Sequence, residues 1–113
     1  MRRGDVVLVD WPYTDQQGSK LRPAIVVQAD SLNSLLDDTI LVQVTGTGHS
    51  IPGAEVEIDL AQEPTSGLVK ISYASCFNIL TVEQATIDQT LGYLSNALMS
   101  QLEKCLKTVL EIP

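Results

Sequence analysis

The residue best placed to do chemistry is Arg22, in the run Lys20-Leu-Arg-Pro-Ala24. A polar stretch that contains Gly18 precedes it and an apolar, β-branched run follows it, so Arg22 is expected where an exposed loop meets a strand. A guanidinium at such a junction is both rigid and accessible, and its fork of donors suits a carboxylate or a phosphate. The residue types alone leave a structural ion pair and an anion-binding role equally open.

Two further reactive groups follow the third apolar run. Thr45 ends Leu41-Val-Gln-Val-Thr45, and His49 lies in the glycine-rich stretch after it. Thr45 is either a turn hydroxyl or a donor to a ligand oxygen, and His49 is either an exposed loop residue or an acid or base. Because His49 is the one histidine of the chain, a two-histidine nuclease site cannot be built from a single copy.

Apolar runs separated by turn residues predict the strands that must hold these groups. Strands are expected over residues 5–10, 22–29, 39–45 and 54–60, and further ones near 68–73, 76–82 and 87–91. Residues 12–21 and 30–38 are expected to be polar connections. Within 54–60 the alternation is strict, so one face of that strand is predicted to be buried and the other solvated.

The last segment changes to a helical period. Leucine recurs every fourth residue from Leu94 to Leu110, and Ser95 is placed to be the N-cap, although Leu98 stands where a capping box has Glu. Many short strands with one terminal amphipathic helix predict a mainly β fold, a small partly open barrel closed by that helix. The length of 113 residues fits one domain, residues 1–113.

Charge and composition restrict the partners. The net charge is −7, yet four of the seven cations lie within residues 1–28, so a polyanion is expected to bind only near that segment. No apolar run approaches the roughly 20 residues that cross a bilayer, and no apolar leader precedes the first strand, so a cytoplasmic protein is expected. Two cysteines without metal-type spacing, Cys76 and Cys105, are expected to be small buried side chains.

Five blocks of the sequence, taken in order, resemble a known family. They are Arg3-Gly-Asp-Val-Val-Leu-Val-Asp-Trp-Pro, Gly18-Ser-Lys-Leu-Arg-Pro-Ala-Ile-Val-Val-Gln, Leu41-Val-Gln-Val-Thr45, Ser66-Gly-Leu-Val-Lys-Ile-Ser72 and Gly92-Tyr-Leu-Ser-Asn-Ala-Leu. Across essentially the whole chain they are similar to the MazF/PemK (Kid) family of type II toxin–antitoxin ribonucleases.

The resemblance implies a fold, partners and a reaction. The fold is the partly open SH3-like barrel of the MazF/PemK/CcdB type, which forms a homodimer and binds a cognate antitoxin in the groove that takes RNA. The reaction is cleavage of single-stranded RNA, often mRNA, by attack of a ribose 2′-hydroxyl on the adjacent phosphorus, without metal or other cofactor. Arg22 and Thr45 match the family's central catalytic pair.

The same resemblance implies RNA-binding residues. A flexible loop covers RNA in the family, Ser72 matches a serine that can donate to a phosphate, His49 is also expected to bind RNA, and Trp11 and Tyr13 are placed to stack on splayed bases. Trp11 is alternatively a cap on the barrel core, and Ser72 a satisfied hydroxyl at a strand end. The loop positions that correspond are Gln17, Gly18, Ser19 and Lys20.

Two features depart from the family pattern. Ser75 and Phe77 stand where some relatives carry an acidic and a basic residue, and the chain is acidic overall. Both features keep a second hypothesis open, in which the barrel has lost RNA cleavage and serves as a protein-binding or nucleic-acid-binding module.

Overall fold

The structure is a computed structural model that describes residues 1–12, 15 and 17–113. Its elements are arranged along the chain as six strands, two α-helices and one 3₁₀ turn. They are β1 (Asp5–Pro12), β2 (Ser19–Val26), α1 (Asp30–Leu35), β3 (Asp38–Thr45), β4 (Glu55–Ile58), β5 (Ser72–Glu83), the 3₁₀ turn (Gln84–Thr86), β6 (Gln89–Tyr93) and α2 (Asn96–Leu110).

The six strands form one sheet in the order β4-β5-β3-β2-β1-β6, and all described strand pairs are antiparallel. The sheet curls into a half-barrel, which confirms the predicted mainly β, partly open barrel with a C-terminal helix. A register shift interrupts the β3–β5 ladder between Val42 and Gln43, and another interrupts β1–β6 between Val6 and Val7. Such bulges bend a strand and increase its twist, as curling requires.

Each face of the sheet contributes to a separate hydrophobic core. Side chains alternate along a strand, so Val6, Ile25 and Val42 pack beneath α2, while Val7, Ala24 and Leu41 pack on the opposite face. All six are fully buried. Both faces of the central strands are therefore covered. This explains why the sequences of these strands are continuous apolar runs and do not alternate between apolar and polar residues.

Helix α2 begins as predicted and buries the first part of its leucine stripe, whereas Leu110 is 52% exposed. The Ser95 hydroxyl oxygen accepts the backbone N–H of Leu98 at 3.2 Å, which confirms the N-cap. The carboxylate of Glu63 accepts the backbone N–H and the hydroxyl of Ser95, each at 2.7 Å. Glu63 thus supplies from a distant loop the carboxylate that Leu98 cannot supply locally. Leu98, Met99, Leu102 and Cys105 are the buried side chains of the helix.

Two predictions about strands were wrong. No strand covers 68–71, where Val69 is 92% exposed; one long strand, β5, begins at Ser72 and includes the predicted 76–82 strand. Strand β2 begins at Ser19, so Ser19 and Lys20 are paired with Pro12 and Trp11 instead of lying in the loop. The ladder with β1 extends through these residues because their backbone groups find partners there, whatever their side chains.

The connection predicted over 30–38 contains the short helix α1, none of whose residues is buried. Side-chain amides fix this region. The side-chain oxygen Oδ1 of Asn33 accepts hydrogen bonds from the side-chain amide of Gln28 at 2.9 Å and from the hydroxyl of Thr39 at 2.7 Å. Within the described part of the chain, no helix is long and apolar enough to cross a membrane.

Candidate active site

A pocket of about 450 Å³ opens at the C-terminal end of β3. It brings together four of the predicted site residues: Arg22, Thr45, His49 and Trp11. Its other lining residues are Pro12, Asp15, Gln43 and Asn78. The pocket therefore joins β1, β2, β3 and β5 with the loop that follows β3.

Strand register places Arg22 and Thr45 on one face. Ala24 of β2 lies opposite Gln43 of β3, and two residues further along each antiparallel strand are Arg22 and Thr45. Because side chains alternate with a period of two, all four point to the same side of the sheet. This is the side of the sheet on which Ala24 and Leu41 form the second hydrophobic core, so the polar pocket lies next to that core.

Arg22 is half-buried and presents an open cation. Its strand partner in β1 is Val9, which is 1% exposed, so the Arg22 backbone lies beside the buried core. Among the described residues, no carboxylate lies within ion-pair distance of the guanidinium; the one ion pair found there joins Arg3 to Glu103 at 3.0 Å. The alternative of a structural ion pair at Arg22 therefore has no support in the described part of the chain.

The Thr45 hydroxyl is engaged locally. It donates to the backbone carbonyl of Thr47 at 2.9 Å, which is the turn role considered from the sequence. A hydroxyl has one proton to donate and two lone pairs that accept. In this conformation the Thr45 hydroxyl can accept a hydrogen bond. It can donate one to a ligand oxygen only after the hydroxyl rotates away from the Thr47 carbonyl.

The loop that carries His49 is anchored by a carboxylate. The backbone N–H of His49 donates to both oxygens of Glu55, at 2.8 and 3.0 Å. The imidazole packs edge-to-face against Phe77, with ring centroids 5.5 Å apart. These contacts fix the position of the ring at the pocket and leave His49 as a group with a proton-accepting nitrogen in its neutral form.

Of the residues predicted to bind RNA, Trp11 lines the pocket and those of the loop lie outside its lining. Trp11 is only 7% exposed, because most of the indole packs in the core that contains Ala24 and Leu41. Gln17, Gly18, Ser19 and Lys20 are exposed beside the pocket, next to Asp15, whose carboxylate accepts the Gln17 N–H at 3.0 Å. Tyr13 lies outside the described residues.

Ser72 is placed away from the pocket. It is 4% exposed, and its hydroxyl donates to the backbone carbonyl of Lys70 at 3.0 Å. This is the satisfied strand-end hydroxyl considered from the sequence.

Local charge distinguishes the pocket from the other cavities. A larger cavity of about 700 Å³ lies where β3 begins, and its walls include Asp37, Asp38 and Glu83. Such a wall repels phosphate, whereas the pocket at the other end of β3 combines the guanidinium of Arg22 with one carboxylate, that of Asp15. The pocket that contains Arg22 is therefore less acidic than this larger cavity.

A family model described as PemK-like, MazF-like toxin of type II toxin–antitoxin system matches residues 2–110. The chain belongs to this toxin family. The match confirms the resemblance carried by the five sequence blocks, and it covers the whole barrel and α2.

Individual relatives of the MazF/PemK family agree with the assignment. Endoribonuclease MazF of Staphylococcus saprophyticus is 29% identical over 109 residues, covering 94% of this chain and 88% of the relative. A mycobacterial endoribonuclease solved in complex with its cognate antitoxin is 26% identical, with a TM-score of 0.82 and coverage of 100% and 97%. A MazE–MazF complex from Deinococcus radiodurans, 16% identical with a TM-score of 0.77 and coverage of 100% and 98%, shares the fold.

Besides Pro12, sequence reasoning missed three polar lining residues of this MazF/PemK chain. Gln43 interrupts an otherwise apolar strand, and that interruption was the available signal. Asn78 reaches the pocket beside the β3–β5 bulge, which the sequence did not specify, and Asp15 lies in the predicted loop between β1 and β2, where no sequence signal distinguished it from the other polar residues. Among residues 1–12, 15 and 17–113, no three His, Cys, Asp or Glu side chains are grouped to hold a metal.

Proposed function

We propose that this chain is the toxin of a type II toxin–antitoxin system and that it cleaves single-stranded RNA without a metal. The observation that carries the proposal is the joint placement of Arg22 and Thr45 in one open pocket, with the guanidinium free of a carboxylate partner among the described residues. The relatives named as endoribonucleases support the reaction class. The proposal includes a homodimer, as the family resemblance implies, and a cognate antitoxin like that bound to the mycobacterial relative.

The proposed reaction is an internal transfer at phosphorus. The ribose 2′-oxygen forms a bond to the adjacent phosphorus and loses its proton, while the bond from phosphorus to the 5′-oxygen breaks and that oxygen takes up a proton. The products are a 2′,3′-cyclic phosphate and a free 5′-hydroxyl. Negative charge grows on the non-bridging oxygens in the transition state, and preorganised donors aimed at them lower the barrier.

Arg22 is proposed to supply those donors. Its planar fork can donate two parallel hydrogen bonds to phosphate, and its anchored position on β2 limits the reorganisation needed during the reaction. Thr45 is proposed to add a hydrogen bond once its hydroxyl leaves the Thr47 carbonyl.

The proton acceptor is proposed to be another group than Arg22. A guanidinium keeps its proton at neutral pH and is a poor base. Asp15 and His49 line the same pocket and carry accepting atoms, so each is a candidate for the 2′-hydroxyl proton. The Asp15→Asn and His49→Gln variants, assayed separately, identify which of them lowers the cleavage rate.

The test is cleavage of single-stranded RNA in EDTA by the wild type, Arg22→Ala and Arg22→Lys. Loss of one preorganised donor group typically costs about 10²–10³ in rate, so we expect Arg22→Ala to fall by at least this factor. Arg22→Lys keeps the charge but loses the fork, and we expect it to lie between the two. The matched control is Arg2→Ala, which removes an exposed arginine outside the pocket. Undiminished cleavage by a folded Arg22→Ala protein would exclude the proposed mechanism.

The second candidate function is a binding module without nuclease activity. It is favoured by the net charge of −7 and by Ser75, which is uncharged and fully buried where some relatives carry charge. It predicts that micromolar protein leaves every band of total RNA intact on a gel, while the protein still binds a partner. Fragmentation of the RNA by the wild type, absent in Arg22→Ala, separates the two functions in favour of the nuclease.

A further inference from the structure

The bulge between β3 and β5 changes which side chains reach the pocket. Val42 lies opposite Ile79, but its neighbour Gln43 lies opposite Ser75, so three residues of β5 have no partner on β3. The last of these is Asn78. Bulges beside active sites commonly re-aim a side chain, and here both Gln43 and Asn78 line the pocket with Arg22 and Thr45.

Both carboxamides have unused hydrogen-bonding capacity. Gln43 is only 8% exposed, yet the structure gives no hydrogen bond between its side chain, or that of Asn78, and another described residue. Ser75, directly opposite Gln43 and on the same face, is fully buried, and its hydroxyl has no hydrogen-bond partner in the described part of the chain. The Ser75 hydroxyl is the one enclosed side-chain group without a partner among the described residues, whereas the carboxamides of Gln43 and Asn78 line the pocket and can bond a ligand there.

The chemistry of a carboxamide differs from that of the guanidinium beside it. A phosphate oxygen only accepts hydrogen bonds, and Arg22, which only donates, suits it. Asn and Gln side chains both donate and accept, and base edges also present donors next to acceptors. Unstacked bases of single-stranded RNA are read on these edges.

We propose that Gln43 and Asn78 read the edge of one base beside the scissile phosphate and so determine part of the cleavage sequence. This inference rests on the proposed nuclease function, because it takes the phosphate to lie at Arg22. The two carboxamides line one pocket, and the proposal assigns them to the same base. They are specificity-determining residues and take no part in the transfer at phosphorus.

The experiment is cleavage of a pool of single-stranded RNAs with randomised sequence, followed by sequencing of the cut ends. Gln43→Met and Asn78→Leu keep side-chain size and remove the carboxamide. A well-formed contact to one base contributes about 5- to 150-fold discrimination. We expect each variant to lose preference of this order at one and the same nucleotide position, with preferences at the other positions unchanged. The matched control, Gln101→Met, alters an exposed glutamine on α2.

Each outcome decides between the hypotheses. A uniform fall in cleavage of all sequences, or an unchanged preference at every position, overturns the base-reading role while the nuclease stands. If the wild type and Gln101→Met cleave no RNA of the pool, the proposed function fails and the inference fails with it. Asn78 is less buried than Gln43, so Asn78→Leu keeps the test valid if Gln43→Met does not fold, as circular dichroism would show.

Discussion

Removing the carboxylate of Glu63 should destabilise the protein more than removing any exposed carboxylate. Glu63 is 6% exposed, and its two oxygens accept the backbone N–H and the hydroxyl of Ser95, each at 2.7 Å. The Ser95 oxygen in turn accepts the Leu98 N–H, so the hydroxyl proton is directed at Glu63. The carboxylate also lies at the positive end of the helix dipole of α2.

The expected loss follows from these two contacts. A hydrogen bond to a charged group contributes about 1.5–3 kcal/mol to stability, so Glu63→Ala, which removes two, should lower the free energy of unfolding by about 3 kcal/mol. With about 2.1 cal/mol/K of unfolding entropy per residue, a chain of 113 residues should lose about 12 °C in Tm. Glu63→Gln keeps one acceptor and should lose about half of this.

The assay is urea unfolding followed by circular dichroism, at one fixed protein concentration because a dimer's stability depends on it. Glu57→Ala is the matched control, since Glu57 is an exposed glutamate on β4; we expect a change within about 0.5 kcal/mol. A Glu63→Ala variant whose stability lies within about 1 kcal/mol of that control would refute the reasoning, because two buried charge-assisted bonds cannot be that weak.

Two further predictions concern alkaline stability and a backbone contact. Burial raises the pKa of the Cys76 thiol above its ordinary 9.0 and also raises the pKa of the Cys105 thiol, so the unfolded chain loses these protons first as the pH rises. The contribution of Cys76 should be complete well below pH 9 and reduced by about 1.4 kcal/mol at pH 10, so urea titration should show a smaller fall for Cys76→Ala, which keeps the Cys105 thiol. Gly92→Ala should cost about 1–3 kcal/mol, since its Cβ would overlap the carbonyl of Thr65, whereas Gly46→Ala meets only the flexible end of Lys70; equal urea midpoints for the two variants would contradict this.

Elements whose side chains repeat with one period were predictable from the sequence. Helix α2 shows this, because leucines at every fourth residue share one helix face, and Leu98 and Leu102 of this face are buried. Its N-cap was also predictable, since a serine in front of the stripe can satisfy a free backbone N–H in place. The carboxylate that completes this cap was not, because Glu63 is 32 residues away from Ser95 along the chain.

Elements held by distant or irregular contacts were not predictable. Helix α1 buries no side chain and so has no apolar period; amide contacts such as that between Asn33 and Thr39 hold it instead. For the site, Arg22 could be found because a cation precedes the apolar run of β2, although the strand begins at Ser19 and not at Arg22 as expected. Asn78 could not, because a bulge breaks the period from which the facing of β5 would be read.

The pocket lies on the same face of β2 and β3 as Ala24 and Leu41. The position of the Arg22 side chain in the pocket therefore depends on the number of residues in β2. One residue inserted between Arg22 and Val26 would reverse the facing of the guanidinium and turn it towards α2, while the apolar run would still pair as a strand. An insertion in the exposed connection between β2 and β3 would leave both facings intact. Tolerance to insertion should therefore differ sharply between two stretches only a few residues apart, because the number of residues in the strand decides on which side of the sheet Arg22 lies.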